Sequence, residues 1–387
     1  MNIAYLLYRE DIFSPLVEGQ VLNILQRVVK EGNTVHFIWL KRVDYCFKYK
    51  DKIQPVRWRL VGDGIILHEI PIIVGKFPLN KGMSDFVYLQ ASSAVCSILK
   101  KNNIQIIHTR GYNAGLFASK LLKNNKHIKH IFDPRSPYLS EIVSTYGVKE
   151  NDRVYHYWKE SEKEIVSTAN VTVAISDTFA DYLKQYTDHI TVIPNNSEME
   201  EPDVVIERAK QQRRNSFCFV GSLGYGWNNV HEYISFMKKV WEIDPGIKLE
   251  LYVLKQDIVR EELKKAGIPE DKYLIKTLQQ AEVGRTISGC LAGLQIMSMQ
   301  DTRLGIKTVD YLAAGVPVIC NNNAMGAAKV IANYKVGWNI DVMSLEEILG
   351  EVKQTDEISN RAVQVAYVEF STNAVSKKYV ELYSNLK

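Results

Sequence analysis

Short apolar runs separated by amphipathic stretches recur along the chain, in two successive sets. Residues 2–8 are apolar at nearly every position, as a strand covered on both faces must be. A turn-rich loop over 11–20 and an amphipathic helix to Lys30 follow; Gly32 and Asn33 stop that helix, and 34–40 is the second strand. Residues 51–81 contain prolines and no clear period, and read as irregular. Alternation then resumes with helix 84–100, strand 104–109, helix 114–123, strand 128–133, helix 153–168, strand 171–175, helix 177–185 and strand 190–193. Residues 197–215 are highly charged and poor in large apolar side chains, which is linker composition.

The second set comprises strand 216–221, helix 230–241, strand 248–254, helix 258–266, strand 273–276, helix 279–288 and strand 292–296. A helix opened by Gly305 and ended by Gly315 comes next, then strands from 316 and over 336–340, and an amphipathic terminal helix, 375–386. Strand, loop, helix, strand is the opening of a Rossmann-like unit, so the pattern predicts an α/β protein with two of them. The expected division is 1–196, 197–370 and a terminal segment 371–387.

Composition narrows the class. A length of 387 residues suits two domains, and 46% apolar with 24% charged residues describes a globular protein. Five scattered cysteines show no CxxC spacing, so neither a disulfide framework nor a zinc site is expected. The apolar N-terminus reaches Arg9 after one strand length, and no stretch approaches the roughly 20 apolar residues of a membrane span. The expected location is the cytoplasm.

The net charge of +4 is unevenly spread: 25 basic and 19 acidic residues up to Asn195, 23 and 25 beyond it. The densest run, 41–59, interleaves seven cations with Tyr45, Phe47, Tyr49 and Trp58. Such a mixture suits an anionic membrane surface or anionic acceptor, and equally a solvated loop over buried aromatics.

Candidate chemistry concentrates in 301–319. A helix N-terminus at Gly305 with Lys307 in its first turn is an anion site suited to phosphate or diphosphate. Asp310 follows one turn later on the same face, where a ribose attached to that phosphate would hang. In the first half, three strand ends carry polar residues: His108 with Arg110, Asp133 with Arg135, and Ser176. Ligands bind at such ends in these sheets.

The run from Gly305 to Ile319 resembles the nucleotide-sugar signature P-x-K-x-x-E-Y-x-A-x-G-x-P-V-I of the retaining GT-B glycosyltransferases, the family 4-like, group 1 class. Gly305 stands where the signature has proline and Asp310 where it has glutamate. Thr302, beside Asp301, stands where a second acid is common. The resemblance implies two Rossmann-like domains facing each other across a cleft, with the terminal helix crossing back to the first. It implies transfer of a sugar from a nucleotide-diphosphate donor to an acceptor hydroxyl with retention, in bacterial cell-surface polysaccharide synthesis, without a metal or other cofactor. Lys307, Asp310, His108 and Arg135 are the implied catalytic residues; Gly19, Gly221, Ser222, Arg303, Lys307 and Asp310 are the implied donor-binding set. Backbone near 275–277 is expected to hold the base. Implied partners are the nucleotide sugar, a glycan or lipid-linked acceptor and the inner face of an anionic membrane; no nucleic acid is expected. A nucleotide-sugar 2-epimerase and a non-catalytic two-domain binding protein are the alternative readings.

Overall fold

The structure, a computed structural model, describes residues 1–223, 228–354 and 356–386. Residues 224–227, which the sequence places directly after the glycine turn of the second set, lie outside the described residues. The chain forms two compact units, Met1–Ile193 with Val375–Lys387, and Pro194–Ala374.

The described residues of the first unit hold one parallel sheet of β1 (Asn2–Tyr8), β2 (Thr34–Arg42), β3 (Ile66–Ile72), β4 (Ile106–Arg110), β5 (Lys129–Asp133), β6 (Val171–Ala174) and β7 (Ile190–Val192). Their order is β3-β2-β1-β4-β5-β6-β7. Alternation along the strands assigns each side chain to one face. Ala4, Leu6, Ile38, Leu40 and Ile107 meet Val87, Ala91, Val95 and Leu99 of helix Lys81–Lys101. Ile3, Tyr5, Leu7, Phe37 and Trp39 meet Val21, Leu25 and Val28 on one side of the chain and Val375, Tyr379 and Tyr383 of helix Thr372–Ser384 on the other. The terminal helix thus closes a face of the first sheet.

The second unit repeats the plan with β8 (Arg214–Val220), β9 (Lys248–Tyr252), β10 (Tyr273–Lys276), β11 (Cys290–Gln295), β12 (Val318–Cys320) and β13 (Gly337–Asn339), ordered β10-β9-β8-β11-β12-β13 and parallel throughout. In both sheets the order reverses beside the first strand, between β1 and β4 and between β8 and β11. Side chains at the carboxyl ends of those pairs face the crevice where such sheets bind ligands.

Three expectations need correction. The loop over 11–20 is helical from Pro15: Ser14 accepts the Val17 N–H, and a wide turn, Glu18–Leu22, runs into helix Asn23–Lys30. The irregular stretch 51–81 holds helix Lys50–Gly62 and β3. Its prolines mislead because Pro55 is carried inside that helix, in its second turn, where it gives up one backbone bond that the packing of Ile53 and Leu60 outweighs, and Pro71 lies on an edge strand, where a missing N–H costs no ladder bond. The expected linker contains helix Pro202–Gln211, which turns only Val205 and Ala209 fully inward. One narrow apolar stripe suffices for it, and such a stripe is hidden in an overall charge count.

Candidate functional site

Helix Ile306–Ala313 is fixed by its far end. Gly293 on β11 lacks a side chain, and a Cβ there would lie 2.5 Å from the Tyr311 ring. The ring fills that space, and its hydroxyl accepts the Val220 N–H at 3.0 Å. Tyr311 therefore pins the helix to the crevice strands, one turn below Lys307. Gly305 caps the N-terminus with extended backbone and no side-chain acceptor; its carbonyl takes the Thr308 N–H at 3.1 Å, and the Ile306 and Lys307 N–H groups point where an external anion can meet them.

Lys307 crosses to the end of β8. Its Cδ lies 3.2 Å from where a Cβ of Gly221 would stand, and Gly221 has φ +127°, a conformation that favours glycine. The Nζ sits 4.6 Å from the centre of the Phe219 ring. It is buried without a hydrogen-bond partner, although part of the stem remains accessible. Burial lowers its pKa to about 7, against the smaller opposing pull of Asp301. A buried ammonium facing only a ring is costly unless something anionic joins it. Ser222 follows Gly221 and is exposed.

Asp310 is buried, and that burial raises its carboxyl to about 6; hydrogen bonds from Ser197 and Gln280 work the other way. Both partners escaped sequence reading because they lie 113 and 30 positions away along the chain. Arg303 turns its guanidinium onto Asp301, at 2.8 and 2.9 Å. That pairing offsets the Arg303 charge and leaves Lys307 as the cation on the helix face. Near 275–277, the Thr277 hydroxyl bonds to the Val253 carbonyl at 2.7 Å and accepts Gln256 at 2.9 Å.

In the first unit, His108 and Arg135 converge on Asp133. His108 is 1% exposed, its Nδ1 lies 2.7 Å from the Tyr383 hydroxyl, and its Nε2 is 3.7 Å from Asp133. Tyr379 donates to the same carboxylate oxygen at 3.0 Å, and Arg135 approaches it at 3.4 Å. Burial alone would raise the Asp133 pKa, but Arg135 and His108 bring it down to about 2. Burial pushes His108 below its ordinary value despite Asp133. The second arm of Arg135 donates to Gln20 at 2.9 Å, next to Gly19, so Arg135 ties the β5 end to the first helix. A Cβ at Gly19 would meet nothing within 4 Å. Ser176, at the third strand end, caps helix Asp177–Leu183.

The cations of 41–59 are mostly spent on neighbouring carboxylates. Lys41 and Arg57 share Glu69, Arg42 takes Asp44 with Lys48 3.7 Å from the same carboxylate, and Arg59 takes Glu18 and Asp63.

Comparison with known proteins agrees with this geometry. The family model for Glycosyltransferase Family 4 matches residues 17–196, and that for Glycosyl transferases group 1 matches 202–366. No curated protein sequence matches significantly. Among solved structures, the chain is similar to Anabaena HepE, solved with UDP and glucose, at 12% identity and TM-score 0.67, with all of both chains covered. The sucrose-phosphate synthase of Thermosynechococcus elongatus superposes at 12% identity and TM-score 0.69, covering all of this chain and 98% of that one. The lipopolysaccharide outer core galactosyltransferase WaaB, in its apo form, gives 13% and 0.66 with full coverage of both. With a family match over each unit and a fold shared from end to end, the chain belongs to the GT-B glycosyltransferases of the group 1 class.

Proposed function

We propose that the protein transfers a sugar, with retention and without a metal ion, from a nucleotide-diphosphate donor to a lipid-linked or growing surface glycan at the inner face of a membrane. The observation that carries the donor side is the Lys307 ammonium, buried without a hydrogen-bond partner beside an uncapped helix N-terminus. A diphosphate there would gain the ammonium and the first-turn N–H groups together. Asp310 then accepts ribose hydroxyls one turn on. The UDP held by HepE and the glycan substrate named for WaaB support the substrate classes.

In the reaction the bond from the anomeric carbon to the diphosphate oxygen breaks, and the acceptor oxygen bonds to that carbon from the same face. The departing diphosphate takes the acceptor proton. Charge grows on that leaving group, so fixed positive groups aimed at it lower the barrier. Arg135 belongs to the acceptor side in this reading, and His108, enclosed by tyrosines, positions Asp133 and through it Arg135.

Calorimetric titration with UDP, GDP and ADP tests the donor site and names the base. Incubation with nucleotide sugars in the presence of EDTA then tests the chemistry. Slow hydrolysis, or transfer to an added glycan, supports the proposal. Interconversion of donor sugars would establish the epimerase instead, and binding without turnover would remove the catalytic claim.

A further inference from the structure

With most cations of the 41–59 run paired internally, the first unit's outer surface is distinguished by its apolar side chains. Phe47 is 82% exposed, Leu89 75%, Ile73 58%, and Phe86 and Val43 are nearly half exposed. Backbone bonds bring these residues to one edge. The Val43 N–H donates to the Ile72 carbonyl, just past the joined ends of β2 and β3. The Gln90 side chain accepts the Ile73 N–H and donates to its carbonyl, both at 2.9 Å, which holds Ile73 against the turn of the helix that carries Phe86 and Leu89. Phe86 lies one turn earlier on helix Lys81–Lys101, and Phe47 one turn after Val43.

The strip therefore follows the carboxyl end of the sheet, the end that carries His108, Asp133 and Arg135. Exposed lysines flank it in sequence: Lys48, which is two-thirds exposed while 3.7 Å from Asp44, and Lys50 after Phe47, and Lys76 after Ile73. Among the described residues no helix is long and apolar enough to cross a membrane.

Bulky apolar side chains rimmed by lysine suit the headgroup boundary of an anionic bilayer, where the side chains enter the acyl region and the ammonium groups stay with phosphate. A second copy fits less well, because a two-fold contact through the strip would bring the lysine rim of one copy against the same rim of the other. We propose that Val43, Phe47, Ile73, Phe86 and Leu89, with Lys48, Lys50 and Lys76 as rim, are the surface by which the protein rests on an anionic membrane. This deepens the membrane-face reading above and replaces charge with apolar insertion as its main term.

The test is co-sedimentation of the full chain with vesicles of phosphatidylcholine alone or mixed with phosphatidylglycerol, over a salt series. Wild type is expected to bind the mixed vesicles and to keep part of that binding at high salt, since insertion is not screened as charge is. Phe47→Ser with Leu89→Ser should lower the partition constant about tenfold or more, because each removes a large apolar side chain from lipid. Lys50→Gln with Lys76→Gln should narrow the preference for mixed over neutral vesicles and leave the salt-resistant part. Binding that vanishes entirely with salt, or survives the serine pair, overturns the proposal. So does a lack of binding at low salt; a dimer in sedimentation velocity that the serine pair dissociates would show a copy interface in its place. UDP affinity, read by calorimetry on the same variants, separates the two claims. UDP binding without vesicle binding sinks only the surface, and vesicle binding without UDP binding sinks only the donor reading.

Discussion

Lys307 occupies the space that a side chain at Gly221 would need, with its Cδ 3.2 Å from the missing Cβ. The two positions are 86 residues apart, on a strand end and a helix start that the sheet makes neighbours. Gly221→Ala should therefore act twice. At φ +127° the backbone strain costs stability by about 1–3 kcal/mol. The new methyl also pushes the lysine stem aside, so nucleoside-diphosphate affinity should fall several-fold while nucleoside affinity holds. Titration with UDP and uridine, or the pair matching the preferred base, reads both; an equal loss for the two would place the damage away from phosphate.

Removing the ammonium itself should be harsher. Lys307→Met keeps the stem that packs on Gly221 and deletes the charge, so the local fold should survive. A charge-assisted contact is worth about 1.5–3 kcal/mol, which is roughly 10- to 150-fold in diphosphate affinity. Protonation offers an independent reading. Burial leaves Lys307 near pH 7, so the empty site is incompletely charged above neutrality. A bound diphosphate favours the charged form, and binding should take up a proton between about pH 7 and 8. Calorimetry in phosphate and in Tris buffers would show this as a buffer-dependent heat, absent in Lys307→Met. Identical heats for wild type in both buffers would refute the depressed lysine.

Asp310→Asn tests the ribose end. The amide keeps one acceptor oxygen and adds donors, so the bonds from Ser197 and Gln280 must rearrange while the buried volume is unchanged. Affinity for ribonucleotides should drop about tenfold or more, with little change for 2′,3′-dideoxy analogues. If wild type does not distinguish the two nucleotide kinds, the aspartate does not reach the sugar. Asp310→Glu would then show whether one more methylene restores the reach.

The parts of this arrangement legible in sequence are those that a single segment encodes. Gly305, Lys307, Asp310 and Gly315 announce a helix and its cap within eleven residues, and the strands of both sheets announce themselves as unbroken apolar runs. What could not be read depends on where distant segments meet. Phe219 beneath the Lys307 ammonium, the Tyr311 ring over Gly293, and Tyr379 and Tyr383 over Asp133 and His108 are ordinary core aromatics until the topology joins them. The pairing of Arg303 with Asp301 was within reach, since a residue two places away offers a matching carboxylate. The partners of the basic run were not legible either, because Glu18, Asp63 and Glu69, which pair with Arg59, Lys41 and Arg57, fall outside its bounds.

Acid should weaken the first unit before it touches the carboxylates. His36, His68, His108 and His130 all have pKa values below the ordinary histidine value, each chiefly through burial, and His130 falls to about 3. His36 and His68 also face each other across β2 and β3, with ring nitrogens 3.0 Å apart. One must donate and the other accept, so protonating the acceptor sets two donors nose to nose. The sign follows from proton counting: below about pH 6.5 the unfolded chain binds protons at these histidines that the folded chain refuses. Stability is thus complete above the ordinary histidine pKa and is lost as pH falls toward the folded values, by up to about 1.4 kcal/mol per pH unit for each ring. Asp133, held at about 2, contributes a similar loss only below about pH 4. Asp310, raised to about 6, acts in the opposite sense between about pH 4 and 6 but belongs to the second unit; Glu162, raised by burial, also acts in the opposite sense. Urea unfolding of the full chain should therefore show a lower midpoint for its pH-sensitive transition at pH 5.5 than at pH 7.5. His36→Gln, which removes one ring of the facing pair and keeps a polar group for the other, should shrink that difference. Equal midpoints at the two pH values would mean that the buried rings accept protons as readily folded as unfolded, and would overturn the argument.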